Sequence, residues 1–140
     1  MLERTNRLVV ERGLRGFLCT VACNSLAKTY LIVAEQTAEP AKSALLKKAS
    51  RACRRALRQC ALDREGLSGA CRLRGTYEWL TGRVGAAQKW WARSLALAEE
   101  LEARYDLAST YREMGRHMGK AEYLERARNL FQQIGVKIEW

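Results

Sequence analysis

Proline occurs once in this chain, at Pro40, and histidine once, at His117. With one proline, long helices can run unbroken. With one histidine, a multi-histidine metal site cannot be assembled. Val, Ile and Thr are sparse, which leaves little material for a sheet. Long apolar runs are missing too. The longest uncharged run, Gly16 to Ala27, has 12 residues and includes Asn24 and Ser25, whereas a bilayer span needs about 20 apolar residues. Glu3 and Glu11 dilute the basic start, and no clean apolar core precedes a small-residue cleavage site, so no secretory signal is read. The chain is expected to be cytoplasmic. HExxH, GxSxG and kinase signatures are absent, as is a GxxxxGKS or GxxxxGKT phosphate loop. The expectation is a non-catalytic protein with no cofactor and no metal.

What is present is helical material. The 140 residues are 48% hydrophobic and 29% charged, the balance of a globular chain able to bury a core. Ala, Leu, Arg, Lys and Glu dominate, all good helix formers. The five cysteines, Cys19, Cys23, Cys53, Cys60 and Cys71, all fall in predicted helices without a CxxC knuckle. They are expected to be reduced, buried small hydrophobes.

Periodicity predicts about six helices. Residues 1–13 are polar and basic, with Gly13 and Gly16 as weak breakers. Residues 14–35 form a helix apolar on several sides, expected to have neighbours on both flanks. A connection through Gln36 to Pro40 leads to a helix over 41–62. Its stripe is Leu45, Ala49, Ala52, Ala56 and Cys60, and its polar face is purely cationic. Helices over 67–81, 84–103, 104–114 and 119–134 follow, punctuated by Gly82, Gly115 and Gly135. Residues 136–140 are expected to be a loosely packed tail.

Within 67–134, Gly75, Gly82, Ala87 and Trp91 are spaced as in a tetratricopeptide (TPR) repeat, which this stretch resembles. Small residues let paired helices approach, and an aromatic fills the groove. Ser94 stands where that family favours alanine. Ala108, Tyr111 and Gly115 open a second unit, but Ala127 and Phe131 arrive seven residues late, which predicts a widened loop around Arg116 to Ala121. The wording Arg72-Leu73-Arg74-Gly75, Trp79-Leu80-Thr81-Gly82-Arg83, Trp91-Ala92-Arg93-Ser94-Leu95 and Tyr111-Arg112-Glu113-Met114-Gly115-Arg116 resembles the C-terminal repeats of large signal-transduction ATPases and their cyclase- or kinase-bearing relatives. The resemblance implies an all-α, TPR-like right-handed superhelix over 14–135. It also implies a regulatory or partner-binding role, and a chain that is a fragment or remnant of a larger signalling protein. The first helix would then pack on further repeats.

The net charge is +10, and the excess is concentrated on the helix at 41–62. Lys47, Arg51, Arg54, Arg55 and Arg58 are the candidate partner-binding residues. Three readings stand: a phosphate-neutralising nucleic-acid surface, a dock for an acidic protein segment or neighbouring domain, and a solvated helix face. No aromatic is interleaved there, which weighs against single-strand binding, and the Ala- and Cys-rich opposite side weighs against a membrane surface. His117, between Gly115 and Gly119, is expected in a solvent-facing loop. Glu99, Glu100 and Glu102 are expected to face solvent. Trp91 is read as groove filler, with Trp90 and Trp79 nearer the repeat's edge.

Overall fold

The computed structural model describes residues 2–61 and 63–140, with side chains described from Leu18 onward apart from that of residue 62. Among the described residues the fold is all-α. Six helices run in order: α1 (Leu2–Glu35), α2 (Ala41–Gln59), α3 (Leu67–Leu80), α4 (Val84–Glu100), α5 (Arg104–Met118) and α6 (Ala121–Gln133), with a short 3-10 turn at Arg64–Gly66. Neighbours pack in pairs, α1 with α2, α3 with α4 and α5 with α6. The chain divides into two compact units, Met1–Gly66 and Leu67–Trp140.

In the first unit, α1 begins at Leu2 and carries Gly13 and Gly16 within it, where the sequence had suggested a helix opening at residue 14. The side chains of 1–13, Leu14 and Phe17 lie outside the described set. From Thr20 on, the inward face of α1 is Thr20, Cys23, Ala27, Leu31 and Ala34, all buried and spaced by three and four residues. It meets Ala49, Ala52, Cys53 and Ala56 of α2, also buried. Small side chains on both partners allow the two axes to come close. Glu39 starts α2: its carboxylate accepts bonds from the Ser43 amide at 3.3 Å and the Ser43 hydroxyl at 2.6 Å, negative charge at the positive helix end. After α2, the Asp63 carboxylate accepts the Glu65 amide at 3.2 Å, and Asn24 donates to the Gly66 carbonyl at 3.3 Å. This anchors the 3-10 turn to α1.

In the second unit every helix ends the same way. Gly82, Glu102, Gly119 and Gly135 adopt positive φ (82°, 53°, 66° and 73°). Just after each, an amide reaches back to the helix: Arg83 to the Glu78 carbonyl, Ala103 to Ala98, Lys120 to Gly115 and Val136 to Phe131, at 2.8–3.1 Å. These are Schellman-type stops, which satisfy carbonyls that the helix leaves open. The turns therefore take only two or three residues. α5 rests on both α3 and α4. Ser68 and Ser94 exchange hydroxyl-to-carbonyl bonds at 2.9 and 2.8 Å, and Thr110 Oγ1 lies 2.8 Å from Ser94 Oγ. This explains the serine at 94: it links α3, α4 and α5 through a fully buried hydroxyl chain.

Two expectations change here. The loop predicted around Arg116 to Ala121 is absent. α5 instead continues one helical turn past Gly115 and stops at Gly119, because Gly115 is occupied by close packing against Leu124. The tail is not loose. Val136 and Ile138 pack on the cluster of Ala108, Tyr111, Ala127 and Phe131. Trp140 sets its ring edge-on to Phe131 at 6.3 Å, and the Arg112 and Arg128 guanidinium groups lie 5.4 and 5.0 Å from its centroid.

Candidate functional site

The candidate cations come together. Lys47, Lys48, Arg51, Arg54, Arg55 and Arg58 are all exposed on α2, opposite its buried Ala and Cys seam. No acid interrupts α2 from Ala41 to Gln59. Among the described residues, no ion pair is formed by any of the six. A dense, uncompensated cationic strip attracts anionic groups through its summed field, and high salt screens that attraction.

α1 carries a different surface on its outward side. Leu18, Val21, Leu26, Ile32 and Val33 are 42–54% exposed, and Cys19, Ala22, Ser25 and Thr29 beside them are exposed as well. Among the described residues, α2 covers one flank of α1 and the second apolar flank expected to have a neighbour is exposed. The expectation for cysteine fails at one position for the same reason. Cys23, Cys53, Cys60 and Cys71 are buried, but Cys19 is exposed. Burial pushes the Cys71 thiol above its usual value, against a smaller opposing pull from Arg93, so it is a poor nucleophile.

The packing residues read from the repeat pattern occupy the second unit's interior. Ala87 and Trp91 form one cluster with Met114, flanked by Trp79, Leu95, Met118 and Tyr123. Ala108, Tyr111, Ala127 and Phe131 form the other. Gly75 lies directly beneath the Trp91 indole, whose Nε1 donates to the Arg72 carbonyl at 3.2 Å. Gly82 serves the α3–α4 turn and Gly115 the approach of α6. Trp79 pairs with Trp91 at 5.7 Å and with His117 at 6.1 Å, while Trp90 pairs with Arg93. Glu99, Glu100 and Glu102 are exposed.

Sequence reading missed a polar core. His117 is in the last turn of α5, not in a loop, and its side chain is only 5% exposed. It stacks on Trp91 at 6.0 Å and its Nε2 lies 3.3 Å from Glu113 Oε2. Thr76 of α3 donates to the same carboxylate oxygen at 2.9 Å, and Arg116 lies 3.4 Å from the other. Burial alone would raise the Glu113 pKa. The bond from His117, the charges of Arg116 and His117, and the bond from Thr76 outweigh it and hold the carboxyl at about 2. A carboxylate that acidic is a weak base, and Thr76 is buried. The group latches α3 to α5. Glu78, also buried, is clasped by Arg74 at 2.7 Å and by Arg83. The i,i+4 spacings of Arg74 with Glu78 and of Glu113 with His117, and the i,i+3 spacing of Glu113 with Arg116, were the available signals.

Among the described residues, no group of three or more His, Cys, Asp or Glu is placed to hold a metal ion, and no helix is long and apolar enough to cross a membrane. Comparison with protein-family models, with curated proteins and with solved structures finds no match for this chain.

Proposed function

We propose that this chain is a non-catalytic interaction module, a TPR-like scaffold of helix pairs that docks an acidic protein segment on the outer face of α2. The carrying observation is the exposed strip of Lys47, Lys48, Arg51, Arg54, Arg55 and Arg58, set opposite the buried seam and uninterrupted by any acid. Six cations on one helix need no backbone rearrangement to meet an acidic partner, so association is steered, and the ordering cost on this side is confined to the Lys and Arg side chains. In this reading the helix pairs of Leu67–Trp140 supply the scaffold. The resemblance to repeats of signalling ATPases and cyclases supports a regulatory role beside a catalytic partner.

The test is titration of fluorescent acidic peptides, with duplex and single-stranded oligonucleotides run in parallel. Binding of a Glu- and Asp-rich peptide at low salt, lost in the R51E/R54E/R58E variant, is the expected result. Tighter and steeply salt-dependent binding of oligonucleotides would replace this reading with a nucleic-acid one. Unchanged peptide binding by the charge-reversed variant would remove α2 from the site.

A further inference from the structure

We propose that the outward face of α1 is a self-association surface that pairs two copies of this chain through antiparallel α1 helices. Leu18, Ala22, Ser25, Thr29 and Ile32 follow steps of four, three, four and three, the seam spacing of paired helices. Val21, Leu26 and Val33 flank that seam, and all eight residues are exposed.

Three observations select a second copy as the occupant. The first is symmetry. Around Ser25 and Leu26 the stripe reads nearly the same in both directions: bulky at Leu18 and Val21, small at Ala22, small again at Thr29, bulky at Ile32 and Val33. A two-fold interface requires a surface complementary to itself, and antiparallel pairing sets Leu18 against Val33 and Ala22 against Thr29. The second is charge. The eight residues of the strip are all uncharged, and the cations of α2 point the other way within the same unit. Two copies of a strongly basic chain can therefore meet here with those charges turned outward. The third is polar satisfaction. The Thr29 hydroxyl already donates to the Ser25 carbonyl at 2.9 Å, so covering it costs no hydrogen bond.

Size sets the strength. The described strip of 16 residues is about 24 Å long and about 10–12 Å across, so these residues alone bury a few hundred Å² per copy. That is below the roughly 800 Å² of a standard interface. Pairing is accordingly reversible and concentration-dependent.

Sedimentation equilibrium of the full chain from micromolar to several hundred micromolar tests this. A monomer–dimer equilibrium that persists in 1 M NaCl is expected, and a monomer throughout the range would overturn the proposal. The variant Leu26→Asp/Ile32→Asp should be monomeric with unchanged helical circular dichroism, because both positions are exposed. A dimer surviving in it overturns the assignment to this face. Oxidative crosslinking gives the direction. Ser25→Cys lies beside the two-fold axis and should crosslink to its counterpart, whereas the native Cys19 pair would sit about 20 Å apart and should not. Efficient Cys19 crosslinking in the unmodified chain would overturn the antiparallel arrangement. The R51E/R54E/R58E variant should pair as the native chain does, so failure of peptide docking and failure of pairing are read separately.

Discussion

At Gly75 the absence of one carbon atom decides how α3 and α4 pair. A Cβ there would lie 2.4 Å from Trp91 Cδ1, and Trp91 is fully buried, with no room to withdraw. Gly75→Ala should therefore destabilise the second unit by about 1–3 kcal/mol, the usual range for overpacking, seen as a lower midpoint in urea unfolding. Glu113 gives a pH-dependent counterpart. Its carboxyl is held at about 2 in the folded chain against an ordinary 4.5, so the folded state binds the proton less readily than the unfolded one. The resulting stability is complete above about pH 4.5 and is lost as the pH falls toward 2, a contribution on the order of 3 kcal/mol. Glu113→Gln should be less stable at neutral pH and should flatten that acid dependence in unfolding titrations. Gly75 and Trp91 were legible as a pair because a small residue followed by an aromatic at helical spacing signals two helices in close approach. Glu113, Glu78 and His117 were not. Their partners Thr76, Arg83 and Trp91 come from other elements or across a turn, and no local period marks a carboxylate that tertiary neighbours will bury.

The helices themselves were legible in number and order, since apolar spacing reports which side faces inward, and α2 to α6 nearly in extent; α1 opens at Leu2, well before the residue 14 that its spacing suggested. Their ends were harder. Gly115 and Gly119 offer the same local stop signal, and only the approach of Leu124 assigns Gly115 to packing and leaves Gly119 for the turn. With Gly119 at a φ of +66°, Gly119→Ala should cost about 1–2 kcal/mol through its left-handed backbone, measured by thermal unfolding. The last segment behaves as part of the α5–α6 pair. Ending the chain after Gly135 would remove Val136, Ile138 and Trp140 from the cluster around Phe131. Such a truncation should lower the urea midpoint and expose apolar surface to a hydrophobic dye.

For the whole molecule, the division at Gly66 and Leu67 has an experimental meaning. The second unit holds both aromatic clusters and the hydroxyl chain from Ser68 to Thr110. A chain of residues 67–140 should thus fold cooperatively alone, read as a single sigmoidal urea transition with helical circular dichroism. A gradual, non-cooperative loss of signal would show that it needs the first unit. Among the described residues, that unit has the opposite character: its buried positions are mostly alanine and cysteine, and its distinctive residues are outside.

The back-to-back placement of the apolar face of α1 and the cationic face of α2 carries a consequence for valency. Two chains joined through α1 display one cationic strip on each outer side. Such a pair can hold two acidic segments of one target, the second captured at an effective concentration of order millimolar when the connecting chain spans the distance. Two individually modest contacts then combine into avidity. The assembly distinguishes a target bearing two acidic tracts from one bearing a single tract, a selection that neither face provides alone.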